Sequence, residues 1–322
     1  MTSRNNGVKE TMPTQLMKKH RYSILITILM IFCISFGLTQ DLPSQVPDVK
    51  HVVIIGCDGM SPSGIQKANT PNLDSLMKKG AYTMYARAVM PTSSSPNWAS
   101  LIMAAGPEQH GITSNSWKPD NHALAPIAVG PEGIFPTIFG VLRKQQPTSV
   151  IACFHDWGGI GILLERKAFD VIEDTEGPIN TTEHAIEYFK EKKPTLTFIH
   201  LDHIDHAGHQ HGYVSPEYNK SIEEADRLIG ETIQGLIAAE MLDQTILIIT
   251  SDHGGVGKGH GGASMAEVEI PWIISGPGIV HAKELKSFVN IYDTAATVAH
   301  IFDLSTPDCW IGKPVLEAFS SQ

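Results

Sequence analysis

The residues of this chain that could do chemistry stand in four short clusters. The densest is HLDHIDHAGHQHGY (200–213), which holds five histidines within twelve residues. Asp205 and His209 are four residues apart, so one helical turn would place both side chains on one face. Carboxylate and imidazole together form a ligand set that suits zinc. The segment therefore predicts a metal site, and its spacing leaves open whether Asp202 or Asp205 supplies the carboxylate.

Two further clusters follow apolar, β-branched runs that predict buried strands. HVVIIG is followed closely by Asp58, and QTILIIT is followed by Asp252 and His253. His260 comes next in a glycine-rich loop, where glycines let the backbone wrap closely around a metal or ligand. The glycine spacing of this loop formally fits a dinucleotide fingerprint. That function is excluded because no helix pattern opens there.

The fourth cluster is PTSSSPNWASLIMA (91–104), in which Ser94 and Ser95 precede Pro96 and an apolar helical stretch. A hydroxyl at a helix start is ordinarily an N-cap, but the same place also binds anions. Neither a G-x-S-x-G elbow nor a Walker A motif occurs in the sequence. The usual α/β-hydrolase and P-loop functions therefore lose their best support.

Together the clusters offer three strand-exit aspartates, three ligand-grade histidines and one hydroxyl at a helix start. A tetrahedral zinc ion takes about four ligands, so this inventory fits two metal ions better than one. Two cations about 4 Å apart can clamp both the attacking and the leaving oxygen of a phosphoryl displacement.

The elements that must position these clusters alternate between apolar strands and amphipathic helices. This alternation predicts an α/β fold with a mostly parallel central sheet sandwiched by helices, and its ligand site would lie beyond the carboxyl ends of the strands. TPNLDSLMKKG predicts a helix with Thr70 at its N-cap and Gly80 after its end. Thr181 and Thr182 are expected to cap a later helix. The strand predictions cover 51–56, 149–154, 195–201, 244–250 and 271–275, and further helices are predicted near 136–146, 181–192, 215–242 and 291–303.

Composition narrows the class of protein. The 322 residues are 42% hydrophobic and 18% charged, which is typical of a globular chain and not of a disordered one. The formal charge of −10 gives no electrostatic footprint for nucleic acid, so no nucleic-acid-binding surface is predicted.

The N-terminal region reads as a targeting segment. Residues 22–38 are apolar without a charge and follow a basic stretch, which predicts a secretory signal peptide, with an uncleaved membrane anchor as the alternative. Residues 1–40 would then be a signal peptide or signal-anchor, and 41–322 a single catalytic domain. The domain is expected to be extracytoplasmic, periplasmic or secreted, and membrane contact would come only through the anchor.

In order and content, these clusters resemble the alkaline phosphatase superfamily, and within it the type I phosphodiesterase/nucleotide pyrophosphatase family. The resemblance runs from about His51 to Leu316. The matching stretches are VVIIGCDGM, PTSSSPNWASLIMAAGPEQHGITSN, DHAGHQHGY, TSDHGG, GHGG and IYDTAATVAHIFDL. It implies the three-layer αβα fold of alkaline phosphatases and two divalent metal ions, expected to be zinc.

The resemblance also implies roles for individual residues. Ser94 matches the nucleophile and Asn115 a contact to a non-bridging phosphate oxygen. One zinc would be held by Asp205, His209 and His260, and the other by Asp58, Asp252, His253 and the Ser94 oxygen. Trp98 and Trp117 could stack on a substrate, or could simply pack in the core or at its rim. We keep Trp98, with Asn115, as a candidate substrate contact.

Two departures bear on the substrate. His260 follows His253 far sooner than in nucleotide pyrophosphatases, a spacing that is more similar to ethanolamine phosphate transferases. Ser95 stands where nucleotide-handling members tend to carry an aromatic residue. Residues 88–142 also contain no arginine to clamp the extra charge of a phosphomonoester.

The sequence thus predicts a two-zinc hydrolase that cleaves phosphodiester or pyrophosphate bonds of a small-molecule phosphate ester through a covalent phosphoserine. The alternatives are a phosphomonoesterase or a phosphoryl or phosphoethanolamine transferase on the same scaffold. A more remote alternative is a metal-binding extracytoplasmic protein without turnover.

Overall fold

The computed structural model describes residues 1–2, 46 and 49–320, and the fold lies within the unit Ser44–Gln322. The predicted signal or anchor segment, 22–38, lies outside the described residues, so that interpretation stays a prediction. Within the described ranges, no helix has both the length and the apolar character that crossing a bilayer requires.

One eight-stranded sheet forms the centre of the described fold. Its spatial order is β4-β3-β5-β1-β6-β7-β2-β8. β7 runs antiparallel to both of its neighbours, and every other adjacent pair is parallel. The strands are β1 (His51–Cys57), β2 (Gly80–Arg87), β3 (Ile151–His155), β4 (Val171–Asp174), β5 (Leu196–Leu201), β6 (Thr245–Thr250), β7 (Glu269–Ser275) and β8 (Lys283–Glu284). The predicted α/β class with a mostly parallel sheet is confirmed.

Helices cover both faces of this sheet. The described residues form α1 (Pro62–Ile65), α2 (Pro71–Lys79), α3 (Ser94–Met103), α4 (Pro107–His110), α5 (Ile138–Gln145), α6 (Ile160–Leu163), α7 (Gly177–Lys192), α8 (His203–His211), α9 (Pro216–Ala238), α10 (Met265–Val268) and α11 (Asp293–Ile301). Short 3₁₀ turns lie at Arg166–Ala168, Leu242–Gln244 and Leu316–Ala318.

The alternation of side chains along the strands creates two cores. In β1, Val52 and Ile54 pack with α3, α5 and α11 on one face. Val53 and Ile55 pack with α2, α7 and α9 on the other. Because successive strand residues point to opposite faces, a strand buried on both sides must be apolar throughout, as HVVIIG is.

One local prediction needs correction, and strand β2 was not identified. Thr181 and Thr182 do not cap a helix, because α7 already begins at Gly177 and their hydroxyls donate to the carbonyls of Gly177 and Pro178. Gly80 does follow α2 as predicted, but it also opens β2, a strand that the sequence analysis did not identify. The half-buried alternation of GAYTMYAR carries a weaker signal than the continuous apolar runs.

The sheet order explains why polar residues meet at one edge. β3, β5, β1 and β6 are adjacent and parallel, so their carboxyl ends lie side by side. The residues that follow these ends in the chain are Asp156, Asp202, Asp58 and Asp252. The edge therefore gathers four carboxyl groups, as the rule for open parallel sheets predicts.

Candidate metal centre

The first group of predicted ligands is assembled by α8 and the glycine-rich loop. His209 Nε2 lies 3.3 Å from Asp205 Oδ2 and 3.1 Å from His260 Nε2. His260 Nε2 lies 3.7 Å from Asp205 Oδ1. The one-turn spacing of Asp205 and His209 thus gives the shared helix face that the sequence predicts.

The second group meets around His253, just beyond β6. Its Nε2 atom lies 3.5 Å from Asp58 Oδ1, 3.2 Å from Asp252 Oδ2 and 3.4 Å from Ser94 Oγ. With zinc–ligand bonds of about 2.0–2.2 Å, neighbouring ligand atoms of a tetrahedral site lie roughly 3.3–3.5 Å apart. Both groups therefore have separations that suit a divalent cation.

The two groups adjoin one another. Asp205, Asp58 and His253 each place a ligand atom within 4.8 Å of the other two. The rings of His253 and His260 are stacked, with centroids 3.8 Å apart. A pair of neighbouring cations is therefore compatible with the arrangement.

The tautomer of each predicted ligand histidine is set by a backbone carbonyl. Because a carbonyl oxygen only accepts, each Nδ1 atom must donate its hydrogen, which leaves the Nε2 lone pair free for a metal. The bonds join His209 Nδ1 to Lys258 O (2.9 Å), His253 Nδ1 to Gly254 O (2.9 Å) and His260 Nδ1 to Thr92 O (2.8 Å).

One oxygen of Asp58 is held by the protein and the other is left without a partner. Trp98 Nε1 donates to Asp58 Oδ2 at 2.9 Å, and His200 Nε2 lies 3.2 Å from the same oxygen. Asp58 Oδ1 is buried with no hydrogen-bond partner among the described residues. The indole reaches this position because residue 56 is glycine, where a Cβ atom would lie 2.5 Å from the Trp98 ring.

Like Asp58, Asp252 and Asp205 each have one oxygen held by a hydrogen bond from the protein and the other near a predicted ligand histidine. The Gly59 N–H donates to Asp252 Oδ1 at 3.1 Å, and Asp252 Oδ2 is buried without a partner among the described residues. The Tyr213 hydroxyl donates to Asp205 Oδ1, while Asp205 Oδ2 faces His209. Buried oxygens without partners are costly, so the orphaned atoms support a cation between these carboxylates.

The raised pKa values of Asp58 and Asp252 also support a bound cation. Burial, followed by the charge of Asp252, raises the pKa of Asp58 to about 6. Burial, with a further contribution from Asp205, raises the pKa of Asp252 to about 8 against the lowering effect of the Gly59 N–H. Buried carboxylates that repel one another are stabilised in their charged form by bound divalent ions. The donor set therefore fits the predicted metal pair.

Ser94 begins α3 at the rim of this centre. Its side chain is 95% buried, and Asn115 lies beside it, with Oδ1 accepting the Ser95 N–H at 2.8 Å. Pro96 has no N–H, and the Asn97 N–H bonds to Ser93 O. In the described structure, this leaves the Ser94 N–H as the donor of the first turn without an acceptor.

This arrangement changes two expectations. We expected several backbone N–H groups at the start of α3 to face a substrate, but Asn115 already occupies that of Ser95. The substrate-contact prediction for Trp98 is wrong, because the side chain is completely buried and its N–H is used by Asp58. Trp98 instead packs against the sheet and orients a predicted ligand.

Three residues that support the predicted ligands were not identified from the sequence. These are His200, Asp156 and Tyr213, which touch predicted ligands or one another from buried positions. Asp156 directly follows β3, so the strand-exit rule could have found it, whereas His200 lies one residue before the end of β5. Tyr213 carries no such signal, because its partner is set by the turn after α8.

Comparisons with known proteins identify the family of this chain. A sequence profile of the type I phosphodiesterase/nucleotide pyrophosphatase family matches residues 52–128 and 154–258. The chain belongs to this family. The matched ranges contain every predicted site residue except His260, whose early position was one of the two departures.

Relatives and solved structures extend the likeness. Ectonucleotide pyrophosphatase/phosphodiesterase family member 7 of Homo sapiens is 25% identical over 247 residues, covering 72% of this chain and 53% of that protein. The chain thus spans about half the length of this relative. The structure of an inactive murine ectonucleotide pyrophosphatase/phosphodiesterase 5 in complex with AMP matches with a TM-score of 0.67 at 18% identity, over 80% of this chain and 96% of that one.

The fold is also that of an alkaline phosphatase. A variant of alkaline phosphatase PafA matches with a TM-score of 0.71 at 12% identity, over 85% of this chain and all of that chain. The predicted alkaline phosphatase-like fold is therefore confirmed.

Proposed function

We propose that this protein is a metal-dependent hydrolase that cleaves phosphodiester or pyrophosphate bonds, with Ser94 as the nucleophile. The observation that carries the proposal is the meeting of Ser94 Oγ, Asp58 Oδ1 and Asp252 Oδ2 around His253 Nε2 at 3.2–3.5 Å. A hydroxyl among metal-ligand atoms is the arrangement that an activated nucleophile requires.

Two zinc ions are proposed as the cofactors. Asp205, His209 and His260 would hold one, and Asp58, Asp252, His253 and the Ser94 oxygen the other. When bound, the ions supply positive charge that lowers the pKa of the Ser94 hydroxyl and balances the charge that develops on the reacting oxygens.

The chain's own residues then account for the reaction. Ser94 Oγ attacks phosphorus, the bond to the leaving oxygen breaks, and a phosphoserine ester forms. Water cleaves this ester in a second displacement, which restores Ser94 and releases the phosphoryl product. We assign the Ser94 N–H and Asn115 Nδ2 as donors to non-bridging oxygens in both steps, which the contact of Asn115 Oδ1 with the Ser95 N–H supports.

The charge around the nucleophile favours a diester over a monoester. Residues 88–142 contain no arginine, and the two donors at the start of α3 are neutral amides. A phosphodiester carries less negative charge than a monoester, so it needs no cationic clamp. A nucleotide ester belongs in the test because the murine relative was solved with AMP.

Phosphoryl or phosphoethanolamine transfer is the second candidate. It is favoured by the short interval between His253 and His260, whose rings stack within one loop. On this route an alcohol rather than water would receive the phosphoryl group from Ser94. We also propose an extracytoplasmic location, supported by residues 18–38 and by a relative named as an ectoenzyme.

The deciding experiment compares bis-4-nitrophenyl phosphate, 4-nitrophenyl phosphate and 4-nitrophenyl sulfate on zinc-loaded protein, alongside nucleotide and ethanolamine phosphodiesters. We expect the diester to be the fastest of the three nitrophenyl esters and a chelator to abolish its turnover. Faster monoester turnover would indicate a phosphomonoesterase, and a phosphorylated alcohol product a transferase. Two bound zinc ions without any turnover would overturn the enzyme proposal and leave a metal-binding protein.

A further inference from the structure

Behind the candidate metal centre lies a buried pair that neither ligand group includes. His200 is the penultimate residue of β5 and is fully buried, and Asp156 follows β3 with only 2% of its side chain exposed. His200 Nε2 lies 3.2 Å from Asp58 Oδ2, and His200 Nδ1 lies 3.6 Å from Asp156 Oδ1. The three residues therefore form a line across the adjacent strands β3, β5 and β1.

Both members of the pair are held rigidly. The His200 ring meets Trp98 edge-on at 5.0 Å between centroids and lies 6.1 Å from the Trp157 ring. Asp156 Oδ1 accepts the Asp202 N–H at 2.8 Å, which ties its carboxylate to the start of α8. The imidazole therefore packs against two indole rings beside Asp58, and its Nδ1 atom makes no hydrogen bond within the described residues.

The contact with His200 helps to fix the orientation of the Asp58 carboxylate. Its Oδ2 atom receives two donors from different elements, Trp98 from α3 and His200 from β5. A carboxylate held by one donor can still swing about its last torsion, whereas two donors fix its plane. Its other oxygen, Oδ1, is thereby aimed at His253, 3.5 Å away.

We propose that His200, backed by Asp156, is a positioning residue that fixes Asp58 so that one oxygen faces the metal. The proposal rests on the metal centre argued above. His200 itself does not touch the reacting atoms. Its effect reaches the reaction through the affinity and placement of the ion beside Ser94, as is common for groups that hydrogen-bond metal ligands.

A different role for His200 would be as a ligand of a further cation with Asp58 and Asp202, whose ligand atoms lie within 4.8 Å of one another. The hydrogen bonds favour positioning instead. Trp98 and His200 both point at Asp58 Oδ2, and together they use the two lone pairs of that oxygen. Counting bound ions separates the two roles.

The test uses three variants of His200 that differ in where they place a hydrogen-bond donor. In His200→Gln the amide nitrogen can take the place of Nε2 and still donate to Asp58, whereas in His200→Asn it corresponds to Nδ1 and faces Asp156. His200→Leu removes both nitrogens. His203→Leu is the matched control, because that half-buried histidine bonds to Ser221 O and touches no predicted ligand.

The measurements are zinc affinity by chelator competition, zinc equivalents per chain, and kcat and KM for bis-4-nitrophenyl phosphate with zinc in excess. We expect His200→Leu and His200→Asn to weaken zinc binding about 10- to 100-fold, with the number of sites and KM unchanged. His200→Gln should stay within a few-fold of the wild type, as should the control. Excess zinc should restore much of the lost turnover.

Several outcomes would overturn the inference. Unchanged zinc affinity in both His200→Asn and His200→Leu would show that Asp58 needs no such support. Loss of one zinc equivalent in these variants would make His200 a ligand. If His200→Leu fails to fold, the contrast between the Gln and Asn variants still decides. A wild type that binds no zinc pair, or cleaves no ester, would instead refute the proposed function.

Discussion

His253 Nε2 lies 3.4 Å from Ser94 Oγ, although 159 residues separate them in the chain. One belongs to the exit of β6 and the other to the first turn of α3, so the tertiary fold alone creates the contact. Asp58 and Asp252 complete the surroundings of the same imidazole nitrogen. The hydroxyl is therefore set among groups that suit a metal and not in a hydrogen-bonded cap.

Replacing Ser94 by alanine should remove turnover and keep the metals. Only the hydroxyl group is lost, while Asp58 and Asp252 remain beside His253, so we expect a fall in kcat of roughly 10³-fold or more. Zinc content should stay near that of the wild type in metal analysis. Ser93→Ala is the matched control, because the Ser93 hydroxyl makes no hydrogen bond within the described residues. Substantial turnover by the Ser94 variant would refute the nucleophile assignment.

Replacing Trp98 by phenylalanine tests whether the indole N–H matters beyond packing. Phenylalanine keeps an aromatic ring beneath Gly56 but offers no donor to Asp58 Oδ2. We expect zinc affinity to fall about tenfold, as measured by chelator competition. If affinity is unchanged and only the thermal midpoint falls, Trp98 serves packing alone.

Much of this centre is readable from the sequence because it follows a simple rule. Asp58, Asp252 and His253 follow continuous apolar strands, and the carboxyl ends of parallel strands must meet. His209 lies one helical turn from Asp205, a relation that local geometry settles. These signals depend only on spacing along one element or on the order of elements.

The residues that support the predicted ligands could not be identified from the sequence, because their contacts depend on three-dimensional packing. Trp98 looks like an ordinary core or rim residue, and only the missing Cβ of Gly56 lets its ring reach Asp58. Tyr213 contacts Asp205 through the turn that ends α8. The edge strand β4 (Val171–Asp174) was also missed, because partial exposure leaves it without the continuous apolar pattern of a central strand.

Asn115 should act on the phosphate and not on the metals. Its Oδ1 atom accepts the Ser95 N–H, so Nδ2 is the group that we propose donates to the phosphate. Asn115→Ala should lower kcat/KM about 10²-fold, since one donor to a charged oxygen is lost. Asn115→Asp should be more harmful still, because it keeps the contact to Ser95 but presents a negative charge to the substrate.

Zinc content provides the comparison for these two variants. It should match that of the wild type in both, as determined by metal analysis of the purified proteins. Equal activities of the Ala and Asp variants would contradict a direct contact between Asn115 and the phosphate.

Asp252→Asn should affect the metal-free and zinc-loaded proteins in opposite ways. In the metal-free protein, the variant removes one of three neighbouring carboxylates and replaces the buried, unpartnered Oδ2, so the thermal midpoint should be equal or higher. Zinc should raise the midpoint of the wild type, because it binds the folded state, and should raise that of the variant much less. Thermal unfolding with zinc and with chelator gives all four values. An equal response of both proteins to zinc would remove Asp252 from the ligand set.

His110 offers a test of stability that is independent of the metals. Its ring is buried, with Nδ1 accepting the Ile112 N–H at 3.0 Å and Nε2 lying 3.0 Å from Ser100 Oγ. Burial lowers the pKa of His110 to about 3, against a smaller raising effect from the Pro96 backbone. His110 ends α4, and these contacts indicate a structural role.

The sign of the pH effect follows from that shift. Between about pH 3 and 6.5 the unfolded chain binds a proton at this residue that the folded protein excludes, so the contribution is fully present above pH 6.5 and is lost as the pH falls. His110→Asn keeps an acceptor for the Ile112 N–H but does not titrate. The difference in unfolding free energy between wild type and variant should therefore shrink by about 1.4 kcal/mol per pH unit from pH 6 to 4.5. Denaturant unfolding in the presence of chelator measures this difference in unfolding free energy at each pH. Parallel pH profiles of the two proteins would show that His110 is not held neutral by its surroundings.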